Sequence, residues 1–273
     1  MIVTPQDAST VILLRDNPDK PAPGFEVLMM RRSSKSSFVP SAYVFPGGRV
    51  EKDDSLPRME RYCRPEDINR AISQLENTPS ANVALGILVA AIRETFEEAG
   101  LLLVYQDGGK HLSFRDAEME SRLRQYRDAL NKGTIKFSQI LEEGKFTLAL
   151  DRLHYFSHWI TPKLSPMRYD ARFFVAAVPS GQKALPDGEE VTSHVWITPA
   201  QALEKYRSRK FYMVAPTVVT LEELSAFKTI QEVIDSTKTK NVKSVLTRLV
   251  FAENDVQEHT PDGRIFVNFV PVD

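Results

Sequence analysis

A disulfide needs two cysteines, and this sequence has one, Cys63. That excludes an internal cross-link and fits a reducing compartment. Cys63 sits in a charged stretch that reads as exposed, with no partner in view, and no role is assigned to it. Nor is there an excess of charge. Against 36 Asp and Glu stand 35 Lys and Arg, for a net charge of -1. A chain with no overall field is not drawn to nucleic acid or to an anionic membrane. No apolar run reaches the roughly 18 residues of a membrane span. Met1-Ile2-Val3-Thr4-Pro5 has no basic region followed by an apolar stretch, so no signal peptide is read there. Val270-Pro271-Val272-Asp273 carries no peroxisomal or retention signal. The expected location is cytoplasmic. Internal repeats and low-complexity linkers are also lacking.

What is present is enough apolar residue, 42%, for a sizeable core in 273 residues. Residues 10–15 and 25–31 read as two strands of a hairpin, with a turn over 17–24. A short strand, 42–45, runs into Pro46-Gly47-Gly48. Residues 55–80 are charged and helical in pattern. The next helix is expected to start at Pro79, capped by Thr78, and to run to about Ala99. Its Val83, Ile87, Leu88, Ala91, Ile92, Thr95 and Phe96 follow the helical period and should face the core. Leu101 to Tyr105 reads as a strand, Asp107-Gly108-Gly109 as a turn, and 115–143 as one or two surface helices. Strands are expected at 153–161, 172–178 and 191–197. Helices are expected from Pro199, over 216–228 and over 241–252. A turn at Asp262-Gly263 leads to a last strand, 264–270. Mixed strands and helices predict a sheet with helices on both faces.

The most informative segment is Arg93-Glu94-Thr95-Phe96-Glu97-Glu98-Ala99-Gly100-Leu101. On a helix, Glu94, Glu97 and Glu98 stand at i, i+3 and i+4, on one face and one turn apart. Gly100 looks like the C-cap, so these acids lie at the negative end of the helix dipole. A solvated Glu-rich face is the bland reading. A hard divalent cation such as Mg²⁺ or Mn²⁺ between the carboxylates is the sharp one, because it relieves both the mutual repulsion and the dipole conflict. Arg93 can pair with one acid and fix its rotamer. Upstream, Gly47-Gly48 follows a strand. It is either a plain turn or a bend whose exposed carbonyl joins a metal shell.

Gly47-Gly48, the acid Asp54, and Arg93-Glu94-x-x-Glu97-Glu98-x-Gly100-Leu101 together resemble the signature of Nudix hydrolases. The chain departs from it in three ways. Asp54 stands where the family usually has Glu, Thr95 stands at an aliphatic position, and residues 55–92 replace a much shorter run. Peroxisomal-type coenzyme A diphosphatases are similar in carrying such an insertion inside the Nudix box. Their upstream pattern resembles Arg32-Ser33 and Phe38 to Gly48, and later segments resemble 157–162 and 216–224. That pattern has a basic residue and a Gly where this chain has Ser37 and Ser41.

The resemblance implies an α+β fold, a Nudix-type α/β/α sandwich with a mixed central sheet. It implies one domain, 1–273, with a helical insert at about 55–80, a helical segment at about 115–145 and a C-terminal helical extension at about 216–252. It implies hydrolysis of a nucleoside diphosphate linked to X, with Mg²⁺ or Mn²⁺ as cofactor. The implied substrate is coenzyme A or acyl-CoA; ADP-ribose, a nucleotide sugar or a dinucleotide is the alternative. A non-catalytic nucleotide-binding module is a further one. Glu97, Glu98 and the Gly48 carbonyl are the expected metal ligands. Glu94 is either a further ligand or the general base, and Arg93 orients the acids. Glu189 and Glu190 are either a later-loop ligand or solvated loop acids. Arg32, Ser33, Phe45 and Gly47 are the expected substrate contacts, with a surface role as the alternative for Arg32. His154 and His158 read as structural for want of a third ligand. Of Phe173 and Phe174, one is core and the other is placed to stack on a base. Assembly as a homodimer stays open.

Overall fold

The computed structural model describes residues 3–17, 24–75, 78–106, 109–112, 117–251 and 256–267. The expected turns at 18–23 and 107–108, and the end of the last strand at 268–270, lie outside the described residues. The chain opens with β1 (Gln6–Asp16), β2 (Phe25–Arg32), β3 (Tyr43–Val44) and β4 (Gly47–Arg49). Next come α1 (Pro65–Ser73) and α2 (Ala81–Ala99). The short strands β5 (Val104–Gln106) and β6 (Lys110–His111) precede α3 (Ala117–Asn131), α4 (Phe137–Gly144) and β7 (Thr147–Leu148). Then follow β8 (His154–Ile160), β9 (Tyr169–Ala177), β10 (Val191–Ile197), α5 (Pro199–Arg207), α6 (Ala215–Leu224) and α7 (Ile230–Thr237). The C-terminal strands are β11 (Ser244–Leu246), β12 (Arg248–Phe251), β13 (Val256–His259) and β14 (Ile265–Val267).

The main sheet runs β10-β2-β1-β9-β8-β11, with β3 on β2 and β4 on β1. It is mixed: β1 pairs parallel with β9 and antiparallel with β2 and β4. The period of two along β1 divides the core. Val11 and Leu13 join the cluster containing α2, while Ile12 and Leu14 join the one containing α5, α6 and α7. All four are fully buried, each adding about 1.5–3 kcal/mol of apolar burial. Helices on both faces make the expected α/β/α sandwich.

β1 offers one long edge to two partners in turn. Leu14 to Asp16 pair with β2, and Ala8 to Thr10 pair with β4. The bend at Gly47-Gly48 is thereby built into the middle of the sheet rather than left on a loop.

Four expectations need correction. The long helix begins at Ala81 with Ser80 as N-cap, not at Pro79 with Thr78; Ser80 Oγ accepts the Val83 N–H at 3.3 Å, which Thr78 does not. Cys63 is buried, not exposed, because the insert folds over α2: Met59, Cys63, Ala71 and Leu75 share a core cluster with Leu85 and Val89. The insert is therefore a cover for the helix's outer face, and α2 is buried nearly all round from Ala84 onward. Leu101 to Leu103 are buried but precede the strand, which starts at Val104. Residues 241–252 are not a helix. Val245 and Leu246 pair with Trp159 and Ile160 at the edge of β8, and β12 pairs with β13; an open sheet edge outweighed an ambiguous apolar spacing. The C-terminal helix is instead α7, where Thr229 accepts the Glu232 N–H at 3.1 Å.

Candidate active site

Two features place the acids. Ser80 caps the start of α2, and Gly100 ends it in the left-handed conformation (φ 69°). Glu94, Glu97 and Glu98 then fall on its last turns, against β4. Thr95, at the position where the Nudix pattern is aliphatic, is fully buried. Its hydroxyl donates to the Ala91 carbonyl at 2.8 Å, so the polar atom costs little there.

Arg93 is the hub. The residue is 4% exposed. Nε and Nη2 fork onto the Asp54 carboxylate at 2.9–3.2 Å. Nη1 donates to Glu94 Oε1 at 2.8 Å and to Glu97 Oε2 at 2.6 Å. Nη2 also donates to the Arg49 carbonyl at 2.9 Å. One planar fork so ties the segment before the insert to the helix after it, which Lys could not do. Burial opposes the guanidinium's charge, but Glu94, Asp54 and Glu97 outweigh it and raise its pKa.

The diglycine touches the acids directly. Gly47 N–H donates to Glu98 Oε2 at 2.9 Å. A Cβ at Gly48 would stand 2.5 Å from Glu94 Oε1, and one at Gly47 would strike the Ser9 carbonyl. Only glycine permits this approach. Burial pushes the Glu94 carboxyl up to about 7, against the pull of Arg93. Glu98 is raised well above the carboxylate range by burial and by Glu94, with the Gly47 amide opposing. Burial also raises Glu97 and Asp54, against Arg93.

Such raised values mark negative charge short of compensation. Asp54, Glu94 and Glu98 are buried and Glu97 partly so, with one buried guanidinium among them. Among the described residues, no group of three or more Asp, Glu, His or Cys side chains stands in a geometry that could hold a metal ion. Arg93 and the Gly47 amide hold oxygens that an ion would share. The donor set nevertheless fits a hard divalent cation, since it offers carboxylate oxygens beside a glycine bend.

The rim comes from other elements. Arg32 lies close enough to Glu98 for its charge to lower that carboxyl. Its guanidinium holds the next loop, donating to Ser36 Oγ at 2.9 Å and to the Phe38 carbonyl at 3.1 Å. Ser33 does not line the cavity; its hydroxyl accepts the Lys35 N–H at 3.3 Å, and its own N–H donates to the Glu190 carbonyl at 2.9 Å. Glu190 is exposed, lines the cavity and raises Glu98 through space. Glu189 lies in a neighbouring acidic pocket. Phe45 lines the cavity but is mostly core. Phe173 also lines it, while Phe174 packs with α2. His158 is hydrogen-bonded with Asp170, and both His154 and His158 border a separate cavity.

Val39 and Ser41 adopt left-handed backbone (φ 41° and 60°). Ser41 stands where the related pattern has Gly, and it holds a left-handed conformation that glycine adopts freely and serine adopts at a cost. Val39 lines the cavity.

Arg127, on α3, escaped sequence reasoning. Its Nε donates to the Glu97 carbonyl at 2.9 Å and its Nη2 to the Glu98 carbonyl at 2.8 Å. These carbonyls have no partner within the helix. Nothing in a charged helical stretch distinguishes this arginine from its neighbours; only the packing of α3 on α2 does.

A mixed sheet between helix layers, with a glycine bend beside REx₂EE on the central helix, is the architecture of the Nudix class. A solved structure described as a NUDIX hydrolase from Alicyclobacillus acidocaldarius matches with a TM-score of 0.67 at 25% identity, covering 86% of this chain and 97% of that one. A family model described as the NUDT19 Nudix domain matches residues 5–84 and 62–224, and the chain belongs to that family. A Xenopus laevis protein named acyl-coenzyme A diphosphatase NUDT19 is 31% identical over 234 residues, 76% of this chain and 62% of that protein. The Homo sapiens protein of the same name is 26% identical over 241 residues, 78% of this chain and 64% of that protein. The chain thus spans less than two thirds of the length of these relatives. No helix among the described residues is long and apolar enough to cross a membrane.

Proposed function

We propose that the protein hydrolyses the pyrophosphate bond of a nucleoside diphosphate linked to X, with coenzyme A or acyl-CoA as substrate. The products are 3′,5′-ADP and phosphopantetheine or its acyl form. The observation that carries this reading is that Gly47, Gly48, Glu94 and Glu97 line one cavity of about 710 Å³, with Gly47 bonded to Glu98 just behind its wall and Gly48 close against Glu94, a size in the range of small-molecule sites. The relatives' names supply the substrate class.

Glu97, Glu98 and the Gly48 carbonyl are the residues that would hold Mg²⁺ or Mn²⁺, with Glu94 or Glu190 as a further donor. When bound, the ion neutralises phosphate charge and acidifies water. The chain's own groups do the rest. Arg93 locks the rotamers of Glu94 and Glu97 through shared N–H donors. In its alternative role Glu94 accepts the proton of the attacking water; a carboxylate raised to about 7 suits that transfer near neutral pH. Arg32 lines the cavity and would bring positive charge to a phosphate there, while its Nε and Nη2 hold Ser36 and Phe38. Water adds to one phosphorus, the bridging P–O bond breaks, and two phosphate monoesters leave.

The test is product analysis after incubation with coenzyme A and acyl-CoA in Mg²⁺ or Mn²⁺, beside ADP-ribose, nucleotide sugars and dinucleotides. Release of 3′,5′-ADP, lost in Glu97→Gln, supports the reading. Cleavage confined to the other compounds moves the substrate, and no cleavage of any compound removes the enzyme.

A further inference from the structure

The cavity does not end at the acids. One continuous space includes Gly48, Glu94 and Glu97 and also the strands β12 and β13. These strands lie beyond residue 224, where the family match stops. In their antiparallel register Leu249 stands opposite Glu258, and Phe251 opposite Val256. Side chains alternate along a strand, so these four share one face of the ribbon. Leu249, Val256 and Glu258 line the cavity.

The single charge on that face is already committed. Glu258 is 5% exposed. It accepts the Thr247 hydroxyl at 2.6 Å and the Ala215 N–H. Ala215 opens α6, whose own N-cap residue, Val214, has no side chain to offer. Glu258 thus caps α6 from another element and fixes the ribbon onto the helix layer. The neighbouring strand β11 is hydrogen-bonded to β8 of the main sheet. What the ribbon presents to a ligand is therefore the apolar surface of Leu249 and Val256. Trp159, Met167 and Phe173 add further apolar wall to the same cavity. A space with carboxylates at one part and anchored apolar walls at another matches an amphiphile whose ionic head is a pyrophosphate and whose tail is hydrocarbon.

We infer that the C-terminal ribbon is the specificity wall for X, and that the acyl chain of an acyl thioester lies along Leu249 and Val256. This rests on the pyrophosphatase reading given above. Filling the wall with Val256→Phe, or making it polar with Leu249→Asn, lowers the ratio of kcat/KM for lauroyl-CoA to that for free coenzyme A by about tenfold or more. A second measurement needs neither turnover nor a variant. In the metal-chelated wild type, lauroyl-CoA slows amide exchange in residues 244–251 and 256–259 more than free coenzyme A does. An unchanged ratio in folded variants, or a ribbon that exchanges equally with both ligands, overturns the wall while leaving the hydrolase in place. Ribbon protection by lauroyl-CoA without hydrolysis of any coenzyme A form removes the activity and keeps the wall. Neither protection nor hydrolysis removes both.

Discussion

Glu98 accepts the amide N–H of Gly47 at 2.9 Å, joining residues 51 positions apart in the chain. That bond seats the last turn of α2 against β4, which is itself paired to the first half of β1. The acids are therefore aimed by a sheet strand. Gly48, the next residue, leaves no room between its Cα and the Glu94 carboxylate.

Gly48→Ala tests that closeness. The new Cβ would stand 2.5–2.7 Å from all three carboxyl heavy atoms of Glu94. The side chain must leave its bond to Arg93, while the core on either face of β1 is untouched. The expected outcome is a fall in kcat of about a hundredfold, the usual cost of displacing a reacting group by an ångström, with a small change in Tm. Steady-state kinetics beside a thermal melt decide it. Full activity would show that Glu94 is not needed where it stands.

Among the described residues, Arg93→Gln takes away the buried cation that Asp54, Glu94 and Glu97 share. Removing one partner of a buried ion network costs about 3–5 kcal/mol. Arg93→Lys should recover little of this, because an ammonium cannot fork onto Asp54 and reach two glutamates as well. Chemical denaturation of the three proteins measures it. A lysine variant as stable as wild type would mean that charge alone, not the fork, holds the site.

Much of this arrangement is legible before any coordinates. The spacing of Glu94, Glu97 and Glu98 is a local helical property, and Gly47-Gly48 announces a backbone that comes close to something. The long-range partners are not legible. Asp54 was identified only as a stand-in for a Glu, yet its work is to grip Arg93 across the insert. The insert's Met59, Cys63 and Leu75 look like loose apolar residues in a charged stretch until α2 is known to need covering. Strands β11 and β12 read as helix from the sequence because they are short and are defined by pairing partners, not local pattern, whereas β14 falls within the strand expected at 264–270. The Thr229 and Glu232 pair that starts α7 was a readable signal that went unused.

Acid pKa values raised by burial set the sign of the pH dependence. With Glu94 raised to about 7, and Glu97 and Glu98 raised too, the folded state binds protons more tightly than the unfolded chain. As pH rises from the ordinary carboxylate range through about 7, the unfolded chain has already released its protons, so stability is lost. The chelated protein should show a Tm that falls by several degrees between pH 5 and pH 8. Mg²⁺ or Mn²⁺ should raise Tm more at pH 8 than at pH 5, because it binds the deprotonated carboxylates. A chelated protein that gains stability over this range, or a cation effect larger at pH 5, would contradict the burial of these acids.

Arg127 offers a test of how the helix end is held. Its two N–H donors satisfy the carbonyls of Glu97 and Glu98, and its charge opposes the negative end of α2. Arg127→Ala leaves the Glu98 carbonyl to water or to nothing, and the Glu97 carbonyl to the longer bond from Asn131 Nδ2 at 3.4 Å. The expected loss is about 1–3 kcal/mol of stability. It should be concentrated locally: amide exchange rises at residues 97–101 more than at 84–92, where the core cluster holds α2. Fraying of that turn also loosens the Glu98 bond to Gly47, so kcat falls while the KM for substrate moves little. Arg127→Lys keeps the charge but not the paired donors and should sit between the two. If exchange rises evenly along α2, Arg127 supports the packing of α3 as a whole rather than the turn that carries the acids.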